Sequence, residues 1–436
     1  MKAPRRKFLQ KLARLSSLSL GASFLPSIPL QAAERLTEYP THASAAEAAT
    51  DEDFWYQVRL AYRPATGLIN LNNGGVSPHP RAIQEKVNDL TTYANEAPSF
   101  NMWRLFSRQL NQVKIDLAEL AGCEKDQITI MRNATEALET VILGIDFKAG
   151  DEVLTTDQDY PSMLNTLALR EKRDGIKVIK IPIPDQQASD EDIVEAFRKA
   201  ITRKTRMIMF SHVVNLTGRV LPAQDLCALA RENEIQSLVD GAHSFASLPF
   251  QLSELDCDYF GTSLHKWLSA PFGTGMLYVR KERIGALWPI YGYPEGEQET
   301  ITKFDHLGTR SLAIELGIGE AVRFHNHIGT ERKYARLQYL KHYWTSQVKE
   351  IPGVKFNTRL KDGWSNGLVN FYIEGKDQRK TYQELEAQFN IHTTIIRHPD
   401  VSGIRVSPNV YTTLDELDHL VQAIQIMAEE QQKTDK

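Results

Sequence analysis

From about residue 70 the chain alternates short apolar runs with stretches whose apolar residues recur every three to four positions. Apolar runs fall at 152–154, 177–181, 207–210, 235–239 and 258–260, and amphipathic segments fill 162–174, 190–201 and 223–233. Strands alternating with helical patterns predict βαβ crossovers and a mostly parallel sheet covered by helices on both faces. Past about residue 311 the pattern changes. One long helical period over 312–349 is followed by strand-like 352–356 and 368–373, a helix near 381–388, a strand at 404–406 and a last helix over 413–431. That reads as an α/β large domain over 70–310 and a smaller α+β C-terminal domain over 311–436, preceded by an arm over 34–69. The arm is loose to residue 50 and helical near 51–61.

Ligands of a parallel α/β sheet bind beyond the carboxyl ends of its strands, so the residues at those ends carry the chemistry. Phe210 runs into Ser211-His-Val-Val-Asn215, Val239 into Asp240-Gly-Ala-His243, and Gly261-Thr into Ser263-Leu-His265-Lys266. Ahead of them the apolar Ile128-Thr-Ile130 leads into Arg132-Asn-Ala134-Thr135-Glu136, which opens an amphipathic helix. Its free N–H groups and positive dipole end form a phosphate site on the same rim. A phosphate site, an acid on one strand end and a lysine beyond the next suggest pyridoxal 5'-phosphate: the lysine condenses with its aldehyde and the acid keeps the ring nitrogen protonated.

Composition narrows the partner. With 436 residues, 42% of them hydrophobic, the chain can bury a large core, and a net charge of −4 supplies no basic field for nucleic acid. A small-molecule or peptide substrate is expected. Three cysteines, Cys123, Cys227 and Cys257, form no CxxC pair, and no metal site or nucleotide fingerprint is present in the sequence.

The first thirty-odd residues do not belong to the fold. Arg5-Arg6-Lys-Phe8-Leu9 precedes a Ser-rich apolar run to Leu30 and then Gln31-Ala32-Ala33, the basic, apolar, small order of an export signal that is too polar and interrupted for a membrane span. Residues 1–33 resemble a twin-arginine signal peptide, with Pro4 and Gln10 departing from the commonest pattern. The expectation is a periplasmic protein carried folded by the twin-arginine translocase.

With these motifs in place, the chain resembles the fold type I pyridoxal-phosphate enzymes of aminotransferase class V, the group containing cysteine desulfurases, kynureninase and isopenicillin N epimerase. The resemblance implies that Lys266 forms an aldimine with the cofactor and drives quinonoid chemistry, and that Asp240 pairs with the ring nitrogen. It also implies that Ala134, Thr135, Ser263 and His265 hold the phosphate, that Tyr160 stacks on the ring, and that Asn215 and His243 contact its phenolic side. Thr309, in Gly308-Thr309-Arg310, matches a segment that reaches a neighbouring subunit's phosphate, which implies a homodimer. Arg405 matches the arginine that clamps the substrate carboxylate, and Asn73 lies in the early loop of the substrate pocket.

Each position has a plainer alternative. Tyr160 before Pro161 serves a turn, His243 sits in the core, Asn73 serves the Gly74-Gly75 turn, Thr309 and Arg310 cap a helix, and Arg405 joins an ion pair.

The reaction is narrowed by one absence. Cysteine desulfurases of this family place a cysteine shortly before the carboxylate arginine, and the stretch 391–403 contains none, which disfavours that activity. Amino-group transfer comes first, with epimerisation or elimination as alternatives, and a non-catalytic ligand-binding protein on the same scaffold is the reading from a different class. An exported class V enzyme also resembles the periplasmic tailoring enzymes of pyoverdine siderophore maturation, which makes a siderophore peptide an expected substrate.

Overall fold

A computed structural model describes residues 44–183 and 188–434. The export-signal segment 1–33 therefore lies outside the described residues. The central sheet has seven strands: β2 (Ile128–Met131), β3 (Glu152–Thr156), β4 (Lys177–Ile181), β5 (Thr205–Ser211), β6 (Gln236–Asp240), β7 (Tyr259–Ser263) and β8 (Gly275–Val279). Their order is β2-β8-β7-β6-β5-β3-β4, and only β8 runs against its neighbours. The mostly parallel α/β sheet expected from the sequence is the one observed.

Burial on both faces explains why these strands read as continuous apolar runs. In β5, Met207 and Met209 face one apolar layer while Ile208 and Phe210 face the other. The crossover direction makes β2, β5, β6 and β7 finish on one edge, at Met131, Ser211, Asp240 and Ser263.

A second, antiparallel sheet has the order β12 (Thr394–Ile396), β13 (Gly403–Val406), β10 (Val369–Ile373), β9 (Val354–Phe356), with its own apolar cluster around Trp344, Phe371 and Leu420. Two short strands, β1 (Ile69–Asn70) and β11 (Ile391–His392), pair in parallel. This pairing and the Leu71 and Ser407 backbones bring the early loop against β13.

Three expectations need correction. The helical period over 312–349 is two helices, Leu312–Ile328 and Thr330–Val348, because Gly329 between them takes φ +86°, a left-handed angle that ends a helix and favours glycine. The stretch before Thr50 is not all loose. Ala45–Ala49 is a helix with a capping box at Ser44 and Glu47, and Trp55 Nε1 and the Arg336 guanidinium donate to the Ala48 and Ala49 carbonyls. Strand β8 went unread behind the Pro/Gly turn at 270–275. Among the described residues no helix is long and apolar enough to cross a membrane.

Candidate active site

The common strand edge opens into a cavity of about 430 Å³. At one end, helix Ala134–Gly144 presents its N-terminus. Its opening donors are almost all spoken for: Ala134 N–H donates to Ser263 Oγ (2.9 Å), Glu136 N–H to the Asn133 cap (2.9 Å) and Ala137 N–H to Asn133 O (3.2 Å). Thr135 N–H has no partner among the described residues and lies at the cavity wall. Ser263 Oγ, which accepts from Ala134, keeps its own proton to give. His265 reaches the same cavity with Nδ1 2.9 Å from the Thr274 carbonyl, an acceptor that requires Nδ1–H and leaves Nε2 for another partner. This end is a cradle for an anion.

The cradle depends on Gly275, which opens β8. A Cβ there would stand 2.6 Å from Asn133 Cα and 2.7 Å from Asn133 N and C, too close for backbone to yield without moving the helix cap. Gly275→Ala is therefore expected to weaken retention of a bound phosphate group by roughly tenfold or more, since a displacement worth about 1.4 kcal/mol is a factor of ten. Equilibrium dialysis against pyridoxal 5'-phosphate, the cofactor expected from the sequence, checks it.

In the middle stand Asp240, His243 and Lys266. Asp240 closes β6, is buried, and accepts Ala242 N–H at Oδ1 (2.9 Å), the tight turn that starts the next loop. Burial pushes its carboxyl up to about 6, against the opposing pulls of Ala242 N–H and the Lys266 charge. Lys266 sits past β7 in a turn pinned by Leu264 N–H to Thr274 O (3.0 Å) and Ala270 N–H to Leu264 O (3.1 Å). Burial brings its amine down to about 8, while Asp240 pulls the other way. Lys266 Nζ lies 3.3 Å from His243 Nε2, and among the described residues it has no carboxylate at ion-pair distance. Burial, then the cations of Lys266 and Arg405, hold His243 well below the usual imidazole range.

Tyr160, Asn215 and Arg405 also line the cavity. Tyr160 is the residue before the helix Pro161–Asp174, 42% exposed, on a loop that Asp159 brackets. Asp159 Oδ2 accepts from Thr155 Oγ1, Thr156 N and Thr156 Oγ1, and Oδ1 from Ser211 N and Oγ, all at 2.7–2.9 Å. Arg405, in β13, is 5% exposed. It donates to the Asn215 carbonyl (3.0 Å) and to Asn72 Oδ1 (3.2 Å), its Nε has no partner, and no carboxylate pairs with it among the described residues. Burial lowers it to about 10, still charged at neutral pH. A buried guanidinium held only by neutral acceptors is a ready anion site.

Two expected residues lie outside the cavity. Asn73 is fully buried, with Nδ2 donating to Asn70 O and Ser407 O and Oδ1 accepting from Tyr411 Oη (2.7 Å). All of its polar capacity goes into fixing the loop, so it is no substrate contact, and its neighbour Asn72 meets Arg405 instead. Thr309 is exposed and lines no part of this chain's cavity, while Arg310 pairs with Glu315 and donates to the Asp305 carbonyl. Sequence reasoning also missed Asp159 and Asn133, whose short polar side chains just before helix starts were the available signal.

None of the three cysteines lines the cavity. Burial pushes the Cys123 and Cys227 thiols up to about 12 and holds Cys257 well above the usual thiol range, the opposite of what a nucleophilic thiol needs.

Comparison with known proteins gives a consistent picture. The family model for aminotransferase class V matches residues 69–420. The isopenicillin N epimerase of Streptomyces clavuligerus is 29% identical over 393 residues, 86% of this chain and 99% of that protein. The isopenicillin N epimerase of Amycolatopsis lactamdurans is 29% identical over 85% of this chain and 98% of its own length. Among solved structures, a mutant of C-DES, a cystine C–S lyase, with glycine covalently linked to its pyridoxal-phosphate cofactor superposes with a TM-score of 0.76 at 25% identity. It covers 84% of this chain and 98% of that one.

The residues present fit pyridoxal 5'-phosphate. The open Thr135 N–H, the Ser263 proton and the His265 ring suit a phosphate, Asp240 keeps one carboxylate oxygen uncommitted, and Lys266 offers an amine free of any ion pair. Among the described residues one group, Asp157, His398 and Asp400, has the spacing to hold a metal ion. Both ring nitrogens of His398 are already engaged, Nε2 with Asp157 O and Nδ1 with Asp400 N–H, at 3.3 Å each.

Proposed function

The chain belongs to aminotransferase class V, and from that premise we propose that this pyridoxal-phosphate enzyme moves the α-proton of an amino acid or amino-peptide that carries a free carboxylate. The observation that carries the reading is Arg405, a buried cation without a carboxylate partner in the cavity that also holds Lys266 and Asp240.

Pyridoxal 5'-phosphate, when bound, draws electrons away from the carbon beside the amine nitrogen it holds. The chain's own residues do the rest. Thr135 N–H, Ser263 and His265 would hold the phosphate, and Asp240 would keep a proton on the ring nitrogen. Tyr160 would cover the ring face, with Asn215 and His243 at its phenolic side. Arg405 would bind the carboxylate through the N–H groups of its guanidinium that the Asn215 carbonyl and Asn72 leave free, which orients the substrate and leaves its Cα–H bond for Lys266. The Lys266 amine, near 8, accepts that proton at Nζ; a proton given back on the same face of Cα restores the substrate, and one given to the opposite face inverts the centre.

Epimerisation is the outcome favoured by the two epimerases matched over nearly their whole length. Amino-group transfer, the first expectation from sequence, and elimination begin with the same proton step. The high thiol pKa values and the cavity lining speak against persulfide chemistry at a cysteine.

Incubation of the yellow holoenzyme with amino acids and amino-peptides in deuterated water tests the proposal. Deuterium at Cα with inversion supports epimerisation, a keto acid supports transfer, and released ammonia or sulfide supports elimination. Cofactor binding with no exchange at Cα would favour the non-catalytic ligand-binding alternative. Arg405→Lys is expected to raise KM for carboxylate substrates roughly 10–100-fold, the loss of one charged hydrogen bond, with kcat nearly unchanged; steady-state kinetics on a substrate and its amide check it.

Export through the twin-arginine route belongs to the same proposal and is supported by the order of residues 5–33. So does a homodimer, supported by the exposed Gly308 and Thr309, and a periplasmic substrate such as a pyoverdine-type siderophore peptide. Cell fractionation, sedimentation velocity and the same exchange assay on siderophore precursors address these in turn.

A further inference from the structure

Lys333 and Trp267 are buried polar residues that the mechanism above does not use. Lys333 lies near the start of the helix Thr330–Val348, 3% exposed, with no carboxylate partner among the described residues. Its Nζ donates to one atom, the main-chain carbonyl of Trp267. Trp267 directly follows Lys266 and is fully buried. Its indole Nε1–H points at His243 Nδ1 at 3.4 Å, and the other nitrogen of that imidazole, Nε2, is 3.3 Å from Lys266 Nζ. The His243 backbone cannot drift, because its carbonyl accepts from Asn366 Nδ2 (3.1 Å) and Ser247 Oγ (2.6 Å).

Indole nitrogen only donates, so His243 Nδ1 must offer a lone pair. The neutral ring then carries its proton on Nε2, which the Lys266 amine accepts once it has lost its own charge, above about 8. Protonating His243 at Nδ1 would set two N–H groups against each other. We propose that Trp267 is a positioning residue that locks His243 as the Nε2–H tautomer beside Lys266, and that Lys333 anchors the Trp267 backbone for this purpose. The charged groups facing the pair are Lys266 and Arg405 around the ring and Asp240 across from the amine. A buried lysine costs free energy unless its donor is used, and the Trp267 carbonyl is the use found.

The test has two arms, and only the second rests on the reading of Lys266 as the cofactor's attachment point. In the first, the full-length protein without cofactor is labelled with 15N-histidine, and the His243 signal is identified by its loss in His243→Gln. Above about pH 8, where the Lys266 amine is neutral, wild type is expected to show the Nε2–H tautomer; Nδ1–H in wild type there would overturn the proposal. Trp267→Phe, which keeps a large ring and removes the donor, is expected to give mixed tautomers and protonation at higher pH.

In the second arm, the pH midpoint of the bound cofactor's absorbance is expected to rise by roughly one unit in Trp267→Phe, because burial keeps the His243 ring neutral and its Nδ1–H tautomer offers Nε2 as an acceptor for a proton at Lys266 Nζ. An unchanged tautomer and midpoint in Trp267→Phe would also overturn it. Lys333→Met is expected to show the same changes in smaller amount, and their absence there alone would remove Lys333 from the relay. A wild-type protein without a cofactor band would sink the cofactor reading while leaving the first arm intact.

Discussion

Lys266→Ala is expected to abolish the covalent attachment of the cofactor and to lower turnover by at least ~10³-fold, the combined loss of a general base and of an oriented bound group. The size follows from where the amine stands. Lys266 is fixed by a pinned turn beyond β7 and lacks an ion pair, and its Nζ faces one histidine. Among the described residues no second lysine lines the cavity wall, so none of them offers another primary amine in its place. The fold should survive, because removing a buried cation from a polar cavity relieves desolvation. The measurement is a paired one: the absorbance band of the bound cofactor after gel filtration, and the rate of deuterium exchange at Cα. Loss of both, with an unchanged melting curve for the cofactor-free protein, is the expected result.

Asp240→Asn is expected to separate activity from stability. Turnover should fall by roughly 10²–10³-fold, as when a preorganised charge is removed from a water-poor site. The cofactor-free protein, in contrast, should become more stable at neutral pH. Burial lifts the folded-state pKa of Asp240 to about 6, whereas an unfolded aspartate titrates near ~3.9. Between those values the folded state holds the extra proton, so stability falls as pH rises through that window, and the deficit persists above it. The deficit is on the order of 2–3 kcal/mol, and removing the charge recovers part of it. Melting curves of wild type and Asp240→Asn without cofactor should therefore coincide near pH 4 and diverge by pH 7, with the variant higher. A wild-type advantage at pH 7 would show that the carboxylate is already compensated by the protein.

These two residues were legible in the sequence because strand ends are local features. An apolar run that stops at Asp240, and another that stops at Ser263 three residues before Lys266, announce both the strand and the group at its tip. The phosphate cradle was legible for the same reason, as an apolar strand followed by Ala134 and Thr135 at the start of an amphipathic helix.

What escaped depends on distant partners. Asn72 and Asn73 are adjacent and chemically equal, and which of them reaches Arg405 is decided by Ser407 and Tyr411, more than 330 residues away. Strand β8 was hidden because its antiparallel course needs only the short turn at 270–275, not a crossover helix. Gly329 sits inside a sustained helical period, and only its positive φ reveals the break. The link from Lys333 through Trp267 to His243 has no sequence signature, since its carbonyl and indole contacts exist only once the helix Thr330–Val348, the loop after β6 and the Lys266 turn have packed.

The central claim is that the ε-amine of residue 266 is the cofactor's attachment point. Reduction of the purified holoprotein with borohydride, followed by proteolysis and mass spectrometry, tests it most directly. The account predicts a single reduced pyridoxyl adduct on the peptide containing Lys266. An adduct on another lysine, or a protein that binds pyridoxal 5'-phosphate and yields no adduct, would contradict it.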